Sequence, residues 1–262
     1  MVVYIHLGLA QALKRVLAGC RRSLAARADR VATMATVNSV RGREWFDLSI
    51  MYSRECNLFC SHCMYNSGPG VRDRLDLVAL GRFISTWDER INSVGFYGGE
   101  VTLHLSEYKR ICDLLSQEIQ RWMFSNGTWS TNLSRAHEVL QWTFDNRVSP
   151  LIVSGTKYHT PHQDRTVLES LARSLPEHVW LKGDEEHYLA MGRLAGLPFT
   201  CTHRCETDKR PTRIAVRPDG SIIFQTCNGV YPVIGNIDEG FPELARRCQN
   251  PVCQYRKTGD QA

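Results

Sequence analysis

The chain contains no apolar run long enough to cross a lipid bilayer, no internal repeat and no low-complexity tract. It also lacks a good secretory signal, because its first basic residues follow the apolar stretch instead of preceding it. Hydrophobic residues make up 43% of the 262 residues and charged residues 23%, which is typical of a globular protein. We therefore expect a cytoplasmic protein without membrane contact, built as one large domain or as one domain with a small appendage.

Excess positive charge is missing from most of the chain. The net charge is +5, which by itself would be compatible with nucleic-acid binding. Residues 1–43, however, carry eight Lys or Arg and one acid, so they contribute +7 and leave −2 for residues 44–262. The body of the protein is therefore slightly acidic, and any nucleic-acid contact would depend on the N-terminal segment or a local patch.

That segment, residues 1–45, is assigned as a basic N-terminal extension with roughly helical spacing of its apolar residues. Four interpretations stay open. The segment is an amphipathic helix packed on the core, a poorly ordered tail, an Arg-rich transit peptide, or a stretch that precedes a true translation start at Met34.

From residue 46 onward, short apolar runs alternate with amphipathic segments of about a dozen residues, a pattern typical of βαβ units and a parallel sheet. Five or six such units are too few for an eight-unit barrel, so the sequence predicts an α/β fold with a partial barrel or an open sheet. Strands are predicted at 46–53, 94–99, 122–128, 150–156 and 178–183, with another near Phe199. Helices are predicted at 74–90, 106–119, 133–144, 164–175 and 184–195.

Ten cysteines are many for such a chain, but disulfide scaffolds are short secreted domains, so ligation of a metal or cluster explains them better. Cys56, Cys60 and Cys63 follow the first predicted strand at C-x3-C-x2-C spacing. Three such thiolates can hold three corners of a [4Fe–4S] cube. Since these clusters normally take four cysteines, the fourth iron would be open to another ligand. A zinc site is the alternative, because Cys60 and Cys63 alone have the spacing of a zinc pair.

Polar motifs follow the next three predicted strands as well. Gly98–Gly99–Glu100 come after the second strand, Ser125–Thr128 after the third and Ser154 after the fourth. Because the carboxyl ends of parallel strands meet at one rim, we expect these motifs to lie beside the cysteine loop.

The cysteine motif resembles the signature of the radical S-adenosylmethionine (SAM) superfamily, and the later motifs resemble those of that superfamily in the same order. The resemblance covers about residues 46–200 and implies a radical SAM core with a partial (β/α)6 barrel of the TIM type. His62 stands where the family usually has an aromatic residue, just before the third cysteine. The implied cofactors are a [4Fe–4S] cluster and SAM.

The resemblance also implies which residues bind SAM. Glu100 would accept hydrogen bonds from the SAM ammonium group, and the Gly98–Gly99 pair would let the backbone approach the ligand closely. The Ser125–Asn126 pair would lie near the SAM ribose and carboxylate, and Ser154 would meet the ribose hydroxyl groups. For the later turns, an ordinary strand-to-helix connection is the alternative.

The implied activity is one-electron cleavage of SAM to methionine and a 5′-deoxyadenosyl radical, which then abstracts hydrogen from a substrate. An electron donor such as flavodoxin or ferredoxin is implied as a partner. Lys157 and His159, after the fourth predicted strand, are candidate catalytic residues that would act as acid, base or hydrogen-atom donor. Surface or loop-packing roles are the alternative for both.

After residue 200 the pattern changes to two alternating strands around Pro218–Gly220, a hairpin signal, with five cysteines nearby. We assign residues 201–262 as a small Cys-rich α+β extension. It resembles the SPASM or twitch extensions of the superfamily, which bind auxiliary iron–sulfur clusters, although it has too few cysteines for two. The resemblance implies one second cluster, for which Cys201 could replace a ligand, while zinc or unligated thiols are alternatives. The implied ligands are Cys205, Cys227, Cys248 and Cys253.

The substrate is poorly marked. Relatives with such extensions often act on amino-acid or peptide groups and on small polar metabolites, which implies a small-molecule or peptide substrate. The implied enzyme is an isomerase or oxidoreductase that oxidises, cross-links or rearranges an amino-acid-bearing substrate. One alternative is modification of a nucleoside, such as an amino-acid-decorated thymidine in phage DNA hypermodification. The other is a non-catalytic iron–sulfur or zinc module. Lys182 and Arg217 are candidate clamps for a carboxylate or phosphate, although most single cations are solvated.

Overall fold

The computed structural model describes residues 46–183, 193, 212–224 and 233–239. Eight β-strands alternate with or follow four α-helices. The strands are β1 Phe46–Met51, β2 Ile91–Tyr97, β3 Gln120–Ser125, β4 Val148–Ser154, β5 Val179–Lys182, β6 Thr212–Val216, β7 Ser221–Phe224 and β8 Val233–Asn236. The helices are α1 Leu77–Trp87, α2 Leu105–Leu114, α3 Leu133–Asp145 and α4 Arg165–Ser174. Short 3₁₀ turns lie at Asp88–Arg90, Val101–His104, Thr128–Thr131 and Thr160–His162.

All eight strands belong to one sheet with the order β5-β4-β3-β2-β1-β6-β7-β8. The strands from β5 to β6 pair in parallel, and β6, β7 and β8 pair antiparallel. The predicted α/β class with a mainly parallel sheet is therefore confirmed. β6 and β7 form the hairpin predicted around Pro218–Gly220.

β6 comes from the segment assigned to the C-terminal extension, yet it pairs with the first strand of the core. The register runs from Phe46 opposite Thr212 to Ile50 opposite Val216. The described strands of the extension thus continue the sheet of the core on its β1 side.

The helices pack apolar faces against one face of the sheet, which we call the outer face. In α1 the buried residues recur three or four positions apart, as an amphipathic helix requires. They are Ala79, Leu80, Phe83, Ile84 and Trp87. They share a core with outward-facing strand residues such as Leu48 and Val94. Because side chains alternate along a strand, the residues between these point to the inner face, which the four described helices do not cover.

Replacing Asp76 with Ala should lower the free energy of unfolding by about 1 kcal/mol, because Asp76 is the N-cap of α1. Its carboxylate accepts hydrogen bonds from the backbone N–H groups of Val78 at 2.8 Å and Ala79 at 3.2 Å. Urea denaturation measures the change. Asp113→Ala is the matched control, because the ion pair that Asp113 makes with Lys109 is exposed and its loss should matter by about 0.5 kcal/mol or less. Equal losses in the two variants would contradict the capping role.

Candidate active site

The loop that follows β1 is closed at its base by backbone hydrogen bonds. Cys56 N–H donates to the Gly68 carbonyl, and Gly68 N–H donates to the Arg54 carbonyl, each at 3.2 Å. Arg54 also forms an ion pair with Asp73, with 2.5 Å between Arg54 Nε and Asp73 Oδ2. We call residues 54–68 the cysteine loop.

The three cysteines of this loop line one cavity of about 370 Å³ at the carboxyl ends of the parallel strands. Cys56 is buried, and Cys60 and Cys63 are half-buried. Burial raises the pKa of the Cys56 thiol to about 11, and it raises the pKa of Cys60 as well. Burial thus disfavours the thiolate form of both residues, and a metal bound here would have to displace their protons.

The surroundings of these sulfurs fit an iron–sulfur cluster. Soft thiolates are the ligands that select such clusters or zinc. Cys56 Sγ accepts a hydrogen bond from Leu58 N–H at 3.4 Å, and Cys63 Sγ accepts one from Ser67 N–H at 3.3 Å. Donors directed at sulfur favour its negatively charged form and tune a cluster that it holds. Within the described residues, no three His, Cys, Asp or Glu side chains surround a point where one metal ion would bind.

The glycine turn after β2 packs directly on the cysteine loop. Gly99 N–H donates to the Ser53 carbonyl at 3.0 Å, and Glu100 N–H donates to the Glu55 carbonyl at 2.8 Å. A Cβ on Gly99 would lie 1.8 Å from the Glu55 carbonyl oxygen. Gly98 and Gly99 also line the cavity. The close backbone approach expected at this turn therefore exists, and within the described structure its partner is the chain that enters the cysteine loop.

Glu100 is 1% exposed and lies behind the cavity wall. Its carboxylate accepts hydrogen bonds from Thr102 N–H at 3.1 Å, Thr102 Oγ1 at 2.7 Å, Ser125 Oγ at 2.7 Å and Asn126 N–H at 2.7 Å. Burial raises the pKa of this carboxyl group, and these hydrogen bonds oppose the shift. Glu100 thus joins the turn after β2 to the turn after β3. Its contact with a SAM ammonium group stays a prediction.

The turn after β3 is fastened to the cysteine loop. Asn126 Nδ2 donates to Asn57 Oδ1 at 2.8 Å and faces Cys56 Sγ at 3.7 Å. Asn57 Nδ2 in turn donates to Thr128 Oγ1 at 2.8 Å. Ser125 and Asn126 both line the cavity. The sequence interpretation missed Asn57, although its position directly after the first cysteine is a signal that could have indicated a role.

The loop after β4 forms another part of the wall. Ser154 lines the cavity, and its carbonyl accepts a hydrogen bond from Gln163 Nε2 at 2.7 Å. Gln163 also donates to the Asn126 carbonyl at 2.6 Å, so it joins the turns after β3 and β4. Gln163 had not been singled out in the sequence.

The two candidate catalytic residues occupy different positions. His159 lines the cavity, and its Nδ1 lies 2.8 Å from Thr156 Oγ1. His62, in the cysteine loop, stacks on Tyr158 with ring centroids 4.1 Å apart. It also lies edge-on to His159, with centroids 5.2 Å apart. Lys157 is exposed, with its ammonium 5.2 Å from the Tyr158 ring centroid, and it is not among the described cavity-lining residues.

Arg193 fastens the cysteine loop from a distant part of the chain. Its backbone N–H donates to the Cys63 carbonyl at 3.0 Å and its Nη1 donates to the Cys60 carbonyl at 2.6 Å. Its Nη2 donates to the Ser67 carbonyl, and its guanidinium lies 3.6 Å from the Phe59 ring centroid. Nothing in the local pattern around Arg193 indicated this contact.

The two candidate clamps for an anion, Lys182 and Arg217, lie in different places. Lys182 lines the cavity at the end of β5, whereas Arg217 lies on the β6–β7 hairpin, outside the cavity, with its N–H bonded to Ser221. Arg213, four residues earlier and within β6, lines the cavity instead.

Several sequence predictions fall outside the described residues. These are the N-terminal extension, most of the predicted helix 184–195, the strand near Phe199, and Cys201 with the four implied ligands of a second cluster. Cys112 is described and is buried in the core, where burial raises its pKa to about 12. Among the described helices, none combines the length and the apolar character that a bilayer span requires.

No protein-family model and no curated protein sequence matches the chain. Solved structures do resemble it. The crystal structure of BtrN in complex with AdoMet and 2-DOIA has 16% sequence identity and a TM-score of 0.52, over 80% of this chain and 84% of BtrN. His6-tagged anSMEcpe with bound AdoMet has 16% identity and a TM-score of 0.45, over 76% of this chain and 77% of that one. Streptococcus suis SuiB bound to S-adenosylmethionine has 12% identity and a TM-score of 0.35, over 72% of this chain and 63% of SuiB.

Of these three likenesses, the one to BtrN exceeds a TM-score of 0.5 and bears on the fold. The chain shares the fold of BtrN, in line with the α/β partial barrel that the sequence predicts. The resemblance indicated by the cysteine motif is therefore confirmed at the level of the fold.

Proposed function

We propose that this protein is a radical SAM enzyme that holds a [4Fe–4S] cluster on Cys56, Cys60 and Cys63 and cleaves SAM in the adjoining cavity. One observation carries the proposal. On a BtrN-like fold, the three cysteines share a cavity with the turns after β2, β3 and β4. BtrN itself was solved with AdoMet in place.

The chemistry divides between cofactor and chain. When bound, the reduced cluster supplies the one electron that splits SAM into methionine and a 5′-deoxyadenosyl radical. The chain binds and orients the reactants. The three thiolates would hold three irons, and the N–H groups of Leu58 and Ser67 keep two of the sulfurs in place.

The polar rim would orient SAM. The Gly98–Gly99 turn, Ser125, Asn126 and Ser154 present backbone and side-chain polar groups at one edge of the cavity, as the amino-acid and ribose parts of SAM require. Glu100 would act on SAM through the two turns that it joins as well as by its own charge.

The other wall would shield the radical from water. His62 of the cysteine loop and His159 of the loop after β4 both line the cavity and lie edge-on to each other, and His62 also stacks on Tyr158. His159 faces the cavity, so it is the stronger candidate for an acid, base or hydrogen-atom donor, with Lys157 as the second.

The finer parts of the proposal concern substrate and partners. Hydrogen would be taken from an amino-acid-bearing substrate, with oxidation, cross-linking or rearrangement as the outcome. A second cluster on Cys205, Cys227, Cys248 and Cys253 and a flavodoxin or ferredoxin as electron donor complete the proposal. Iron counting tests the second cluster, since one cube gives about four irons per chain and two cubes give about eight.

The test of the whole proposal is anaerobic reconstitution with iron and sulfide, reduction with dithionite, and chromatographic detection of 5′-deoxyadenosine after SAM is added. The wild-type chain should form 5′-deoxyadenosine, and Cys60→Ala should form none. Cys112→Ala is the matched control, because Cys112 lies in the core away from the cavity, and it should keep the activity with somewhat lower stability. An intact cluster without any 5′-deoxyadenosine would make the protein a non-catalytic iron–sulfur module.

A further inference from the structure

Arg193 holds the second half of the cysteine loop by three hydrogen bonds to backbone carbonyl groups. Its backbone N–H donates to Cys63 at 3.0 Å, its Nη1 donates to Cys60 at 2.6 Å, and its Nη2 donates to Ser67. A guanidinium can join separate carbonyl groups in this way because its N–H donors form a rigid planar fork. One residue, which lies between β5 and β6 in the sequence, therefore fixes the backbone at two of the three cysteines.

Phe59 adds a stacked contact to this arrangement. The Arg193 guanidinium lies 3.6 Å from the Phe59 ring centroid, where the ring attracts a cation. A Cβ on Gly68 would lie 2.9 Å from the same ring and 3.3 Å from Arg193 Nη2, so the glycine lets both groups approach the backbone. Phe59 is 73% exposed and contributes little to the core. Its ring instead packs on the loop and on the arginine.

The two halves of the cysteine loop differ in their support. Cys56 is buried, and its N–H donates to Gly68 at the base of the loop. Cys60 and Cys63 are half-buried, so they lie in a part of the loop that opens more easily than the core. The contacts that Arg193 makes with this part therefore matter most for how firmly the second and third sulfurs are placed.

We propose that Arg193 is a positioning residue for the cluster, which holds the Cys60 and Cys63 backbone in place for cluster binding and favours the reduced state by its positive charge. This inference rests on the proposed radical SAM function and concerns the uptake of the electron at the same site. Ligands that are ordered in advance bind without a further ordering cost. The electron that a donor supplies adds one negative charge to the cluster, and nearby charge contributes to the reduction potential.

Two measurements on the full chain test the positioning role. Hydrogen exchange of residues 54–68 in the cluster-free chain reports on the loop itself, and the rate at which EDTA removes iron reports on the reconstituted site. We expect Arg193→Gln to exchange faster in the loop and to release iron about tenfold faster, the effect of losing one charge-assisted hydrogen bond. Phe59→Leu should release iron about threefold faster, and it should fold normally because the ring is exposed.

Arg121→Gln is the matched control. Arg121, in β3, is buried and is not among the described residues that line the cavity. Like Arg193, it donates to three backbone carbonyl groups, which are those of Leu115, Ser116 and Asn146. Its replacement should lower the thermal midpoint and leave loop exchange and iron release as in the wild type, when each chain is compared at an equal interval below its own midpoint.

The reduction potential separates the charge of Arg193 from its geometry. In a redox titration followed by electron paramagnetic resonance, Arg193→Gln should hold about tenfold less reduced cluster at the wild-type midpoint, a shift of about 59 mV to more negative potential for one electron. Arg193→Lys keeps the charge but lacks the planar fork. It should therefore keep a potential close to that of the wild type and still release iron faster.

Each outcome decides one part of the proposal. Wild-type loop exchange and iron release in Arg193→Gln, or equal changes in Arg121→Gln, would overturn the positioning role, and an unchanged potential in Arg193→Gln would overturn the role of the charge. If Arg193→Gln does not fold, wild-type iron release in both Phe59→Leu and Arg193→Lys overturns the proposal. Failure of the proposed function is separate, since the wild-type chain would then keep its cluster and form no 5′-deoxyadenosine.

Discussion

Replacing Gly99 with Ala is expected to displace the cysteine loop and to remove most of the iron that it can hold. The new Cβ would lie 1.8 Å from the Glu55 carbonyl oxygen and 2.3 Å from its carbonyl carbon. These are backbone atoms, so no side-chain rotation relieves the overlap, and the hydrogen bond from Glu100 N–H to Glu55 would be lost with it. We expect a loss of about 3 kcal/mol in the free energy of unfolding. Iron per chain after reconstitution and the thermal midpoint measure the two effects.

Gly81→Ala is the matched control for this substitution. Gly81 lies in α1, and a Cβ there would meet only the Leu114 side chain at an ordinary 3.5 Å. Alanine also costs less conformational entropy than glycine in a helix, so this variant should be neutral or slightly more stable and should keep its iron. Normal iron content in Gly99→Ala would show that the glycine turn does not support the cysteine loop.

Glu100→Ala should be the most destabilising single change near the site, with an expected loss of about 3 kcal/mol or more. The carboxylate accepts four hydrogen bonds in a site that is 1% exposed, so its removal leaves three side-chain or backbone groups of Thr102 and Ser125 and one N–H of Asn126 without an acceptor. Urea denaturation of the cluster-free chain measures this loss without any contribution from SAM.

Glu138→Ala provides the control, because the Glu138 side chain is 60% exposed and its ion pair with Arg135 lies on the surface of α3. That change should cost about 0.5 kcal/mol or less. A stable Glu100→Ala chain that had lost only SAM binding would reverse the assignment, since the carboxylate would then act on the ligand and not on the two turns.

The local pattern of the sequence was sufficient for the five strands and four helices of the core. The strand predicted at 94–99 is Ile91–Tyr97, because the Gly98–Gly99 pair belongs to the turn that leaves the sheet. The helix predicted at 106–119 ends at Leu114, where Leu115 takes an extended conformation. Hydrophobic periodicity identifies a helix or strand well but locates its ends poorly. The ends depend on capping residues and on tertiary contacts.

The position of β6 was not predictable in the same way. Its alternating pattern indicated a hairpin, and the hairpin is there, but the pattern contains no information about which strand it pairs with. β6 joins β1 across more than 160 positions of sequence. That choice depends on the edge of β1 that faces away from β2, which is a property of the assembled sheet and not of the local pattern.

The site shows the same division. The motifs after the strands were visible in the sequence because parallel strands deliver their carboxyl ends to one rim. The contacts of Asn57, Gln163 and Arg193 were not visible, since each joins segments that are distant along the chain. Arg213 lies within β6 and lines the cavity, whereas Arg217 lies beyond the end of that strand, and the pairing of β6 with β1 that places Arg213 is a long-range contact.

The amino-acid sequence by itself determined the ligand chemistry of this protein: three closely spaced thiols, the polar turns that follow the next three strands, and the alternation that makes a parallel sheet. Tertiary structure alone decided which groups meet. It placed Glu100 between two turns with its oxygens already bonded, joined Arg193 to the cysteine loop, and put Lys182 and Arg213 on one cavity. The physical reason is that residue type and spacing act over a few positions, whereas packing and register join residues that the chain keeps far apart.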